Sequence, residues 1–337
     1  MALTLTIGER TYNYSHCIGT LHTSRGGQDF SLAPGEDIMY VISRAGGADV
    51  PFGAIQRWAK WDLINDEAIF EASSLGYEDG DLLWPASVAL DAHNTVFISD
   101  EYLNRISQFS AADGTFIGKW GSTGTQAGQL GGPAGIRFDS YGHLNVVESK
   151  NHRVQKFTKR GDPIDVWGQL GSKPGEFNEP FGIHIDRAGD IFVADWGNDR
   201  VQKFDQSGRF ISQFGRSGSG AGELLRPTGV STDKDGDVYI ADWGNNRIQI
   251  FDSAGDYIAG LYGDARELSK QGARVISANS DYQKARNRAD TTIEWKLFRP
   301  IAVEVDDKNR IFILESLSGR LQVYLKETDH IDPQFNL

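Results

Sequence analysis

Residues 194–205 read ADWGNDRVQKFD, and forty-seven positions later residues 241–252 read ADWGNNRIQIFD. The surroundings of the first copy parse into short strands. GIHID at 182–186 alternates apolar and polar side chains, AGD turns, IFVAD forms a second strand, and WGND turns again. RVQKF is a third strand, DQSG a third turn and RFISQFG a fourth strand. Period-two alternation bounded by Gly, Asp and Asn is the pattern of half-buried antiparallel strands joined by tight turns. The same template opens at Pro85, Pro133, Pro180, Pro227 and Pro300, and a worn copy starts at Gly27.

Four short strands in a unit of this length build a propeller blade rather than a solenoid coil. Six units and their connections account for the chain as one domain, 1–337, of a six-bladed β-propeller with four-stranded antiparallel blades. The last copy runs out near Tyr324 after three strands, while the N-terminal YNYSHCIGT resembles a fourth strand. Residues 12–18 are therefore expected to complete the sixth blade, which removes the open edge of the ring. Cys17 would then be a small buried hydrophobe.

Asn-x-Arg followed by an apolar-polar-polar-aromatic strand, as in NHRVQKF and NDRVQKF, resembles the NHL repeat family. That resemblance implies the propeller fold and leaves function open, since the fold hosts many activities. More distantly, the chain is similar to peptide-amidating lyase-type and lactonase-like propellers, which would place a divalent metal, calcium or zinc, on the channel axis. The slot between Pro and Gly reads Ala134, Phe181 and Thr228, without the histidines such a zinc site would use. An oxygen-held ion would have to rely on Glu304, Glu148 or backbone carbonyls.

Composition narrows the function classes. The 337 residues hold 39 Gly, 2 Met and a net charge of −12. An acidic surface repels phosphate backbones and anionic lipid, which argues against nucleic-acid and membrane partners. One cysteine gives no disulfide framework, and the first residues lack a signal-peptide pattern, so a cytoplasmic location is expected. G-x-S-x-G, His-Glu-x-x-His and phosphate-loop motifs are missing.

A carboxylate precedes an arginine by five positions in each good copy: Asp100/Arg105, Glu148/Arg153, Asp195/Arg200, Asp242/Arg247 and Glu315/Arg320. A motif repeated around a ring reads as scaffolding, so function is sought where the copies differ. The polar slot of the first strand reads Ser31, Ala89, Arg137, His184, Ser231 and Glu304, and alternation turns it towards the channel. His184 as general acid/base, Arg137 as anion anchor and Glu304 as partner base or metal ligand would suit a lyase or hydrolase acting on a small ligand. On the rim, Trp84, Tyr102, Glu148, Lys150, Phe181, Trp196, Arg226, Trp243, Arg299 and Glu315 form a second set of candidate ligand-binding residues. These suit an organic ligand or, alternatively, a protein partner on a non-catalytic scaffold. The connection from Pro227 to Pro300 is about 26 residues longer than its siblings. Its segment 264–299 is expected to be partly helical and to close like a lid over the channel mouth. Asp264 and Glu267 read as a capping box with Gly272 as terminator, and Ser280 with Gln283 as a second. SRAGGADVPFGA at 43–54 reads as a long rim loop.

Overall fold

The computed structural model describes residues 4–19, 26–47, 50–316 and 318–328, and it is a six-bladed β-propeller. The inner strands are Gly26–Leu32, Pro85–Leu90, Pro133–Phe138, Ile183–Ile185, Pro227–Thr232 and Pro300–Val305, and they open blades 1 to 6 in that order. Each blade continues outward through consecutive antiparallel strands. Second strands such as Val238–Asp242 are buried along their whole length because both faces meet a neighbouring blade. Fourth strands such as Phe116–Trp120 keep every other residue exposed. Hydrophobic side chains fill the seams between blades: Trp58, Val88, Ile98 and Phe109 meet in one seam, and Phe97, Leu130, Val146 and Phe157 in the next. Burying each such side chain stabilises the ring by about 1.5–3 kcal/mol.

Ring closure follows the sequence expectation. Arg10–Gly19 pairs with the third strand of blade 6, Arg320–Glu327, placing Tyr12 opposite Lys326 and Ile18 opposite Leu321. Thr4–Ile7 adds a fifth strand outside it. Cys17 is buried, with its thiol donating to the Glu267 carbonyl at 3.2 Å.

Four of the five repeated carboxylate–arginine pairs are clamps; in blade 2 Asp100 takes backbone amides and Arg105 reaches the Tyr77, Glu78 and Asp81 carbonyls without bonding to Asp100. In blade 4 the buried Asp195 accepts from the Asn178 amide at 2.7 Å, Asn198 Nδ2 at 2.9 Å, Arg200 Nε at 2.8 Å and Gln202 Nε2 at 3.1 Å. Arg200 Nη2 reaches on to the carbonyls of Lys173 and Glu176 in the glycine-rich connection from blade 3. Blades 3, 5 and 6 repeat the arrangement around Glu148, Asp242 and Glu315. The clamp thus satisfies loop carbonyls and amides that burial would otherwise leave unpaired.

Two local expectations are corrected. The 43–54 loop is instead a β-ribbon, in which Arg44 pairs with Gln56 and Gly47 with Val50. In the long connection, residues 264–269 are not helical. Asp264 turns its carboxylate to Arg266 Nε at 2.7 Å, and the helix α1 (Lys270–Ser277) is capped by Ser269, whose side chain accepts from the Gly272 amide. Gly272 therefore lies inside the first turn rather than ending the helix. The next helix, α2 (Ser280–Arg286), is capped by Asn279, one residue ahead of the expected serine. A single turn, α3 (Thr292–Trp295), leads back to blade 6.

Candidate functional site

Inner-strand alternation places Ser31, Arg137, His184, Ser231 and Glu304 around one axial cavity of about 260 Å3. Ala89 is buried and does not line it. The cavity opens where the inner strands end, between the turns at 33–36 and 306–308. At the opposite end the channel is pinched to a space of about 30 Å3. The glycines of the Pro-x-Gly step explain the pinch. A Cβ on Gly135 would sit 2.5 Å from the Phe181 carbonyl, and one on Gly182 2.2 Å from that of Thr228. Only glycine lets the inner strands approach this closely there.

Arg137 divides the two spaces, lining both. Its Nη1 pairs with Glu304 Oε1 at 2.5 Å, and its buried Nε has no hydrogen-bond partner. Burial works against the guanidinium charge, but Glu304 and Asp29 outweigh it and hold the arginine above its ordinary value. Asp29, behind Arg137, accepts from Ser87 Oγ at 2.5 Å and the Val88 amide at 3.2 Å. Burial pushes its carboxyl up to about 6, with Arg137 and the Ser87 hydroxyl opposing. Sequence reasoning missed Asp29 because the worn first copy shifts its register by a bulge between Gly27 and Asp29.

Three of the slot residues also satisfy the exposed edge of the next inner strand. Glu304 Oε2 accepts from the Leu32 amide at 2.9 Å, Ser231 Oγ from Val305 at 3.2 Å, and His184 Nε2 from Thr232 at 3.3 Å. His184 Nε2 lies 2.9 Å from the Thr232 hydroxyl as well. With Nε2 accepting, the ring proton sits on Nδ1. Burial, reinforced by Arg137, lowers the imidazole to about 3, so it is neutral at physiological pH.

The rim residues lie elsewhere. Arg226 stacks over Trp196 and Arg299 over Trp243, each with Cζ 4.6 Å from the ring centroid. Trp84 is covered by Arg44 at 4.8 Å. Tyr102 and Lys150 are exposed, and Phe181 lines the pinched end of the channel. Glu148 and Glu315 have no exposed surface, and their oxygens are committed to Arg153, Gln155, Arg320 and Gln322. They have no surface with which to contact a ligand, which corrects their place among the rim candidates. Among the described residues, the 264–299 segment contributes none to the cavity lining. It fastens the seam between blades 6 and 1: Ser269 Oγ donates to the Gly19 carbonyl, the Gln271 amide to Asp66 Oδ2 at 2.6 Å, and Arg274 to the Asp66 carbonyl at 2.6 Å.

The donors do not fit the axial metal that the distant resemblance would imply. Among the described residues no group of three or more His, Cys, Asp or Glu side chains is arranged to hold an ion. Glu304 and His184 already serve Arg137 and backbone amides. No helix of the described residues is long and apolar enough to cross a membrane.

Fold and cavity together define a six-bladed β-propeller, two of whose blades carry a recognisable repeat. The NHL repeat matches residues 130–157 and 224–251. No curated protein matches the sequence. Among solved structures, a protein of unknown function from Bacteroides thetaiotaomicron aligns with a TM-score of 0.61 at 16% identity, over 95% of this chain and 77% of the other. A catalytically inactive virginiamycin B lyase from Staphylococcus aureus, solved with quinupristin, aligns at 0.56 and 11% identity over 94% of this chain and 99% of its own. A structure from the nidogen/laminin complex aligns at 0.54 and 16% identity, covering 76% and 91%. At these identities the likeness establishes the fold alone.

Proposed function

We propose that the axial cavity binds a small polar organic molecule, anchored by Arg137 and oriented by Glu304, Ser31, Ser231 and the Nδ1 proton of His184. The observation that carries this reading is the buried, unpartnered Nε of Arg137 at the cavity floor. An unsatisfied charged donor is costly, and a ligand carbonyl or carboxylate would remove that cost. At the mouth Lys308 and Arg310 are paired with Asp37 and Asp306, and Glu36 and Asp307 add further carboxylates, which disfavours a polyanion and leaves a neutral, zwitterionic or singly charged ligand anchored by Arg137. The volume, about 260 Å3, suits a molecule smaller than a typical drug. The virginiamycin B lyase shares the fold and acts on a small molecule by its name, which keeps lyase chemistry in view. Here His184 with a value of about 3 and an engaged Nε2 is a weak base, so binding is the better-supported role.

The test is a thermal-shift and calorimetric screen of small amino acids, hydroxy acids and sugars. A hit should bind the wild type and lose affinity by about tenfold or more in Arg137→Gln/Glu304→Gln, which removes one charged hydrogen-bonded pair without orphaning either member. A hit bound equally by that variant would overturn the site. Mass analysis of the incubated hit separates binding from turnover: a product that disappears in His184→Ala/Glu304→Ala would make the protein an enzyme.

A further inference from the structure

We propose that the face opposite the cavity mouth docks an acidic peptide whose carboxylates are read by Arg226 and Arg299 and whose apolar side chains rest beside them. The slot before the blade-opening proline is held by Trp84, Gly132, Glu179, Arg226 and Arg299. Four of these adopt left-handed backbone: Gly132 at φ 62°, Glu179 at 49°, Arg226 at 54° and Arg299 at 47°. Glycine meets that requirement without strain, and blade 3 uses it. Blades 5 and 6 hold arginine there instead, and a strained arginine at a repeated position points to a use for its side chain.

The packing is the same at both positions. Each guanidinium stacks on the tryptophan of the preceding blade, and each backbone amide is fixed by that blade's turn, Arg226 to Asp199 Oδ1 at 2.8 Å and Arg299 to Asn246 Oδ1 at 2.9 Å. Among the described residues neither guanidinium is in a salt bridge. The acids of the same face are occupied or set apart. Asp199 also takes the Ser217 hydroxyl at 2.7 Å, and Glu101 pairs with Arg44 at 3.1 Å. Glu179, exposed one blade back, marks the end of the cationic arc. Immediately before each arginine stands an exposed apolar residue, Leu225 at 38% and Phe298 at 48% exposure.

Two adjacent blades therefore repeat an apolar residue, an unneutralised arginine and a tryptophan backing on a chain of net charge −12. Arginine and tryptophan are the side chains that dominate protein-binding hot spots, and local charge complementarity selects an acidic partner. A repeat of apolar and cationic contacts matches an extended segment in which acidic and apolar side chains alternate. RNA would need a longer cationic track to bind its phosphates.

The experiment is fluorescence anisotropy with a fluorescein-labelled peptide of alternating glutamate and leucine. A lysine–leucine peptide and an oligouridylate of matching length serve as competing probes. The wild type should bind the glutamate peptide in preference to both, more weakly as salt rises. Arg226→Gly/Arg299→Gly, whose glycines suit the local φ and should leave the melting temperature unchanged, should bind about tenfold more weakly or worse. Equal binding by that variant, no binding by the wild type at millimolar concentration, or tighter binding of the oligouridylate would overturn the proposal. Arg137→Gln/Glu304→Gln should bind the peptide like the wild type, which keeps this surface separable from the axial site.

Discussion

At the scale of single residues, the channel holds two titrating groups whose environments drive them in opposite senses. His184 is lowered to about 3 by burial and then by Arg137. As pH falls below its unfolded value near 6.5, the unfolded chain gains a proton that the folded chain refuses, and stability is lost. Asp29 is raised to about 6 by burial. Its folded form gains the proton first, so it adds stability as pH falls from 6 towards the unfolded value and loses it as pH rises again. Urea titrations between pH 4 and 7 should separate them. The wild type should weaken relative to His184→Gln, which keeps an acceptor for Thr232, by up to about 1.4 kcal/mol per pH unit as pH falls below 6.5. Relative to Asp29→Asn it should strengthen over the window from 6 to 4. A flat difference in the first series would mean that His184 is not buried neutral, and a flat difference in the second would mean that Asp29 does not hold its proton to pH 6. The convergence of Arg137, His184 and Glu304 was legible from strand parity, because parity depends on local backbone alone. The protonation states were not, since they depend on Asp29, on the Thr232 amide and on which way each edge amide finds its acceptor.

Elements show the same division between local and distant causes. Strands and turns could be read from the repeat because each blade solves the same local problem with the same residues. Helix starts were displaced where a side chain had a better tertiary partner: Asp264 is held by Arg266 while its amide meets Gln322 Oε1 at 3.2 Å, so the cap passes to Ser269. The destination of the 264–299 segment depends on α1 finding Asp66 and Gly19, more than 200 residues away in sequence, which no spacing in the segment itself records. That placement makes a lid and a fastener distinguishable. Replacing 268–288 by a short Gly/Ser linker leaves the Glu294, Trp295 and Lys296 carbonyls in place for Arg320 and Gln322. The melting temperature should drop by several degrees, because the Ser269, Lys270, Gln271 and Arg274 bonds to the seam are lost. Affinity for a cavity ligand should stay within about twofold, since no described residue of the segment lines the cavity. A large loss of affinity at unchanged melting temperature would instead restore the lid.

For the whole molecule, the open question of any ring is what holds the last blade against the first strand of the chain. Backbone pairing between Arg10–Gly19 and Arg320–Glu327 supplies the hydrogen bonds, and a charge cluster at the adjacent seam supplies a second hold. Lys326 has no exposed side-chain surface, and its ammonium lies against Asp233, 2.9 Å from Asp235 and 2.9 Å from Asp237. Arg10, on the N-terminal strand, adds bonds of 2.6 and 2.9 Å to Asp237. Tyr239 OH donates to Asp233 at 2.8 Å. The turn of blade 5 thus grips both the third strand of blade 6 and the strand that closes the ring. In sequence, TDKDGD looks like an ordinary acidic turn, and the lysine that completes it lies 93 positions on. Its three carboxylates hold Lys326 well above the ordinary lysine value, although burial opposes the charge. The contribution should be complete below about pH 10.5 and decline as pH rises through the folded value. Lys326→Met keeps the aliphatic packing but, among the described residues, leaves Arg10 on Asp237 as the one cation bonded to the buried carboxylates, and should cost about 3–5 kcal/mol in urea unfolding at pH 7. The wild-type advantage should hold to about pH 10 and shrink above it. The same variant should expose the N-terminal strand to limited proteolysis, because the strand loses part of the surface that holds it. Unchanged stability together with an unchanged cleavage pattern would mean that strand pairing alone closes the ring.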